Sequence, residues 1–133
     1  MKFEVELLLD WHLPWKRDGK PVTTEERTRY LAIWDQLIDE LADADTSIVM
    51  RDFHSPNIIW RDDRAGHDRV GLIDFQDAMI GPAAYDVVSL VQDARVTIER
   101  PLMDQLMADY LSARARMSGF DESAFLKSWA IMS

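Results

Sequence analysis

The feature that most limits what this chain can fold into is a change of hydrophobic period in its middle. Between Thr24 and Ala42, Tyr30, Ile33, Trp34, Leu37, Ile38 and Leu41 recur at helical spacing. Beyond them the apolar residues come in short runs: Ile48-Val49-Met50, Ile58-Ile59-Trp60 after Asn57, and Val70-Gly71-Leu72-Ile73. Each run is too short for a helix and is bounded by polar or turn-forming residues, so each predicts a strand. Helical patterns then resume. Two helices, three short strands and three helices predict an α+β fold, mainly helical, with one small antiparallel ribbon. Nothing alternates in the manner of a parallel sheet.

The ends of these elements follow from local chemistry. Phe3–Leu13 reads as a helix that stops before Pro14, and Trp15–Val22 as a turn-rich loop. Thr23 and Glu26 have the spacing of a capping box, and Trp34 lies on the apolar stripe behind it, a core position. Arg61–Arg69, centred on Ala65-Gly66, would connect the second and third strands. Gly81-Pro82 marks a turn. The last helices are expected at Tyr85–Asp93, Pro101–Met117 and, after the cap Asp121, Glu122–Ile131.

Composition narrows the functional classes. With 47% apolar and 29% charged residues, 133 residues suffice for one domain with a real core. A net charge of −9 argues against nucleic acid or an anionic membrane as partner, and leaves a neutral or cationic small molecule compatible. Without cysteine there can be no disulfide and no thiolate zinc site. Leu7-Leu8-Leu9 is too short and too flanked by acids for a signal peptide, and no stretch approaches the ~20 apolar residues of a membrane helix. A cytoplasmic protein is expected.

The informative segment is Met50-Arg51-Asp52-Phe53-His54-Ser55-Pro56-Asn57, which holds the only asparagine of the chain. If the strands at Asn57 and Val70 form an antiparallel hairpin, the start of one and the end of the other lie at the same end. Asn57 and Asp74 then meet, beside the loop that carries Asp52. An amide oxygen and a carboxylate suit magnesium, which keeps water and phosphate oxygens in its remaining positions. A further carboxylate, Asp52, could take the proton of an attacking hydroxyl.

Arg51-Asp52 with Asn57 five residues on, followed by Leu72-Ile73-Asp74-Phe75, resembles the catalytic loop and metal-binding aspartate of protein-kinase-like folds. Asp52–Asn57, Ile73-Asp74-Phe75-Gln76-Asp77-Ala78, Gly81-Pro82 and Tyr85-Asp86-Val87-Val88-Ser89-Leu90 are together similar to the aminoglycoside phosphotransferase and choline kinase superfamily. Within it, the chain looks most like bacterial kinases that phosphorylate N-acetylmuramate or N-acetylglucosamine at the anomeric hydroxyl. The specific match covers Met50 to Ala94. The resemblance implies the C-terminal lobe of a kinase-like fold, with Mg2+ and ATP as cofactors and an amino sugar or aminoglycoside as substrate. It makes Asp52 the base, Asn57 and Asp74 the metal ligands, and Asp86 a buried support receiving backbone N–H groups of the catalytic loop. His54 and Gln76 are the candidates to contact the nucleotide. Where the family has a structural histidine two residues before the base, this chain has Met50, which costs an anchor rather than a reactant.

Kinase-like enzymes clamp ATP with a glycine-rich loop and a strand lysine from their first lobe. None of the five glycines here forms G-x-G-x-x-G, and none of Lys2, Lys16, Lys20 and Lys127 sits in an apolar strand. The expectation is a single catalytic lobe over 1–133 with the N-terminal nucleotide-binding lobe absent, so that the chain alone does not turn over. A missing lobe or self-association would supply a partner.

Plainer roles compete for each residue. Asp52, Asn57 and Asp74 could be turn and cap residues, His54 a hydrogen-bond partner within its loop, and Asp86 the cap of its helix. Glu4, Asp10, Trp11 and Trp15 could line a sugar or amine pocket, or simply pack. His12 and His67 lack a partner at metal-ligand spacing. Rival readings of the whole are a non-catalytic remnant that binds a ligand or partner, and a magnesium-dependent hydrolase using the same ligands.

Overall fold

The computed structural model describes residues 2–133 and divides into two compact units, Met1–Ala42 and Asp43–Ser133. The first contains α1 (Lys2–Leu7), a π-helical segment (Leu8–His12), α2 (Leu13–Lys16) and α3 (Thr24–Glu40). The helical path does not stop before Pro14, as its sequence suggested. The Leu13 N–H donates to the Leu8 carbonyl five residues back, and Pro14 falls in the first turn of α2. The wider turn shifts the hydrogen-bond register just where proline has no N–H to give, so the chain passes through it. The helix ends instead at Lys16, in a turn where Asp18 and Gly19 take φ of +54° and +82° and the Gly19 N–H donates to the Pro14 carbonyl.

The capping box at Thr23 forms as expected, with Glu26 donating its N–H to Thr23 Oγ1 and accepting the Thr23 N–H in return. Arg27 pairs with Asp10 and Glu6, and Tyr30 Oη donates to the Val5 carbonyl, which ties α3 to α1 and the π segment. Leu9 is buried. Trp34, expected in the core, is only half-buried and meets Tyr30 edge-on; no residue of α3 is fully buried. One helical hairpin has too little neighbouring chain to enclose an indole.

The second unit carries two antiparallel ribbons rather than one. β2 (Ile58–Trp60) pairs with β3 (Val70–Leu72), the predicted hairpin. β1 (Thr46–Val49) pairs with β4 (Met79–Pro82), so Gly81-Pro82 ends a strand and is not a turn. A Cβ at Gly81 would meet Val49 Cγ2 at 3.3 Å, so the backbone of β4 passes close to that buried side chain. Pro82 closes the ladder opposite Thr46, where its missing N–H disrupts no further pairing.

Three helices complete the unit: α4 (Ala84–Val91), α5 (Arg100–Arg114) and α6 (Glu122–Met132), the last capped by Asp121 Oδ1 accepting the Ala124 N–H. Val49, Ala83, Ala84, Val91 and Phe125 form the core. Phe125 stacks on Tyr110 with ring centroids 5.1 Å apart and also meets Phe120. Arg114 pairs with Asp45 and lies over the Phe120 ring, joining the end of α5 to the chain entering β1. Among the described residues no helix is long and apolar enough to cross a membrane.

Candidate active site

β1 ends at the buried Val49, and the chain then turns sharply. Arg51 has a φ of +70°, a conformation unfavourable for a residue with a Cβ unless its surroundings hold it. The holder is Asp86. Its Oδ2 accepts the Met50 N–H at 2.7 Å and its Oδ1 the Arg51 N–H at 3.2 Å. The side chain is therefore not the cap of α4, whose N-cap is Ala83. Both carboxylate oxygens reach back some 35 residues in sequence to the loop. Burial raises the Asp86 pKa, and the two backbone N–H groups only partly offset this. The Met50 backbone is thus anchored to α4.

The rest of the loop is knitted by its own backbone. The Asp52 N–H donates to the Met50 carbonyl, the His54 N–H to the Asp52 carbonyl, and the Asn57 N–H to the His54 carbonyl. Pro56 sits in the first turn of a single 3-10 turn, Ser55–Asn57, which ends directly in β2. Asn57 Nδ2 donates to the Asp52 carbonyl at 2.9 Å and approaches His54 Nε2 at 3.4 Å.

The hairpin then brings the other arm alongside. Ile58 is opposite Leu72, and the Ile73 N–H donates to the Asn57 carbonyl at 3.1 Å. Asp74 is the next residue, turned out of the ladder by a φ of +61°. Its Oδ1 accepts from Gln76 Nε2 at 2.7 Å. Asp52, Asp74 and Gln76 are exposed and Asn57 is half-buried. His54, expected beside the nucleotide with Gln76, is instead buried, at 8% exposure.

The donor chemistry fits a hard divalent cation. Chemistry decides which way the Asn57 amide faces: a carbonyl can only accept, so the group facing Asp52 is the NH2, and Oδ1 is the end that remains for a ligand. An amide oxygen and a carboxylate oxygen are the donors that magnesium takes. Among the described residues no group of three or more His, Cys, Asp or Glu could hold an ion by itself. Two protein oxygens with the remainder from phosphate and water is the arrangement these residues suit.

Two contacts of the loop had no sequence signal. Ser55 Oγ donates to Asp93 Oδ2 at 3.5 Å, and His54 lies near the same carboxylate. The Asp93 pKa is lowered, first by the Arg95 N–H and then, against some desolvation, by Ser55 and His54. In the first unit, Trp11 and Trp15 are exposed and line a shallow apolar depression with Leu7, Leu8 and His12, while Asp10 is engaged by Arg27.

Comparison with known proteins gives the family. A family model described as the phosphotransferase enzyme family matches residues 3–120. An N-acetylmuramate/N-acetylglucosamine kinase of Caulobacter vibrioides is 37% identical over 100 residues, which cover 72% of this chain and 27% of that protein. A kinase of the same description from Neisseria meningitidis is 32% identical over 116 residues, 87% of this chain and 33% of that protein. One from Pseudomonas aeruginosa is 29% identical over 110 residues, 83% and 31% respectively. The chain therefore spans a third or less of the length of these relatives. With nearly nine-tenths of its residues matched, this chain belongs to the APH phosphotransferase enzyme family.

Proposed function

We propose that the chain is the catalytic C-terminal lobe of a kinase-like enzyme that transfers the terminal phosphoryl group of ATP to a hydroxyl of a small molecule, an amino sugar of the N-acetylmuramate or N-acetylglucosamine type. The observation that carries this reading is the pair of bonds made by Asn57. Its side chain holds the Asp52 carbonyl and its carbonyl holds the Ile73 N–H, so base, amide and metal aspartate share one end of one hairpin.

In this reading Asn57 Oδ1 and the Asp74 carboxylate hold magnesium, with Gln76 steadying Asp74. When bound, the ion neutralises phosphate charge as it moves toward the leaving group. Asp52 orients the acceptor hydroxyl and takes its proton as the new O–P bond forms and the bond to the nucleoside diphosphate breaks. Asp86 keeps the loop behind Asp52 from relaxing. The glycine-rich loop and strand lysine of kinase-like enzymes are not among these 133 residues, so in this reading a nucleotide clamp of that kind would come from residues outside them.

The test joins the N-terminal region of the Caulobacter vibrioides relative to this chain and supplies Mg-ATP with N-acetylmuramate, N-acetylglucosamine or an aminoglycoside. Sugar phosphorylation is expected from the chimera and none from the chain alone. Asp52→Asn should lower it by at least ~100-fold. Equal turnover by the Asp52→Asn chimera, or robust turnover by the chain alone, would refute the proposal. A second reading, a non-catalytic binding module, draws on Ile48 and Ile80, which face each other across β1 and β4 while 67% and 70% exposed. It predicts a chimera that binds a ligand or partner without turnover.

A further inference from the structure

The mechanism above leaves one buried, polar side chain of the loop without a task. His54 is 8% exposed, and its Nδ1 is buried with no hydrogen-bond partner. A buried nitrogen left unsatisfied is costly, and its persistence asks what the rest of the ring does. Nε2 lies 3.4 Å from Asn57 Nδ2. Asn57 Nδ2 has two hydrogens, one already given to the Asp52 carbonyl. With Nε2 as acceptor of the second, both hydrogens of the amide point into the loop.

We infer that His54 is a positioning residue: by accepting the second N–H of Asn57 through Nε2, it locks the amide so that Oδ1 alone faces outward. The inference rests on the reading of Asn57 as an ion ligand for its purpose, but not for its geometry. Without the imidazole, the Asp52 carbonyl still selects the NH2 end, yet a single bond leaves the amide plane free to swing. With it, two acceptors define the plane. The backbone that carries the ring is itself held, and the ring is buried. The Asn57 N–H donates to the His54 carbonyl at 2.9 Å, and Ser55, the next residue, is tied to Asp93 just beyond the end of α4. Asp86 in the first turn of α4 and Asp93 past its last turn therefore grip the loop before and after Asp52.

An accepting Nε2 requires that the neutral ring carry its proton on Nδ1. That tautomer is a signature a merely space-filling histidine would not show. Because Asn57 is the only asparagine, labelling with 15N-asparagine yields a single side-chain amide to follow. The experiment uses the intact chain, 15N-labelled at histidine and at asparagine, together with its His54→Gln, His54→Leu and Asp74→Asn variants. In the unsubstituted chain, long-range 1H–15N correlation is expected to show His54 protonated at Nδ1 and bare at Nε2, and both Asn57 amide protons slow to exchange. His54→Gln, whose Oε1 can accept near the place of Nε2, should retain the slow exchange. His54→Leu should speed exchange of one amide proton by about tenfold or more and weaken Mn2+ broadening of the Asn57 amide by a similar factor. A proton on Nε2, or Asn57 exchange indifferent to His54→Leu, overturns the inference. Mn2+ broadening that is absent from the unsubstituted chain, or unchanged in Asp74→Asn, counts against the ion site alone, since tautomer and exchange still judge the role of His54. Should His54→Leu fail to fold, the tautomer and the glutamine variant decide.

Discussion

Replacing Asp86 by alanine removes the carboxylate that accepts two backbone N–H groups at the entrance of the Met50–Asn57 loop. Two N–H groups, of Met50 and Arg51, lose a carboxylate partner. A hydrogen bond to a charged group contributes about 1.5–3 kcal/mol, and one at 3.2 Å falls at the lower end. Asp86 is only half-buried, so water recovers part of the loss. The expected cost is about 2–4 kcal/mol, concentrated at residues 50 and 51 where the left-handed turn at Arg51 must also be held. At 1.4 kcal/mol per decade this speeds opening of the two amides roughly 30- to 700-fold. Native-state hydrogen exchange at Met50 and Arg51 measures it directly. Were Asp86 only favouring the N-terminal turn of α4, the loss would be about 0.3–1 kcal/mol and would appear in α4. Unchanged protection at Met50 and Arg51 in Asp86→Ala would refute the clamp.

The same residue fixes the sign of a pH effect. The folded-state pKa of Asp86 stands above its ordinary 3.8, because burial outweighs the two N–H bonds. Folding then favours the protonated form. The contribution of Asp86 to stability is full below pH 3.8 and declines as pH rises through the folded pKa. The stability difference between the unsubstituted chain and Asp86→Asn should therefore shrink across that rise in urea titrations at stepped pH. A difference that grows with pH would mean that the hydrogen bonds, not burial, dominate.

Two further outcomes follow from packing and capping. Phe125 is 1% exposed and stacked on Tyr110, so Phe125→Ala should cost about 3–5 kcal/mol, seen as an earlier urea midpoint for the unit that contains it; a loss below about 1 kcal/mol would place it outside the core. Thr23→Ala should cost about 1 kcal/mol and expose the Glu26 amide to exchange. The Glu26 pKa is lowered by the Thr23 N–H first and by Arg17 next, so this carboxylate supports the start of α3 above pH 4.5, and that support is lost as pH falls through its folded pKa. Protection factors in the first turn of α3, corrected for the intrinsic exchange rate at each pH, that do not fall on acidification would contradict this.

What could be read without coordinates was what neighbours in sequence decide. Thr23 and Glu26 are three residues apart, Asp121 caps the Ala124 N–H, and β2 and β3 are joined by a short connection, so the meeting of Asn57 with the arm of Asp74 needed only a hairpin. The role of Asp86 followed from family resemblance and not from spacing. Pro14 misled because proline is read as a helix breaker, while a π turn one residue earlier accommodates it. Gly81-Pro82 reads as a turn because Gly and Pro dominate the local signal, whereas pairing with β1, some thirty residues earlier, makes Met79–Pro82 a strand.

The sequence by itself determined the helix starts, the β2–β3 hairpin and the choice of oxygen-bearing side chains at its end, because capping, period and turn chemistry act over three to twenty residues. Tertiary structure alone decided the second ribbon, the burial of His54 and the grip of Asp86 and Asp93 on the loop. Those contacts join residues thirty or more positions apart. Closing such loops is worthwhile only once a shared core around Val49, Val91 and Phe125 has formed. No local pattern records that condition.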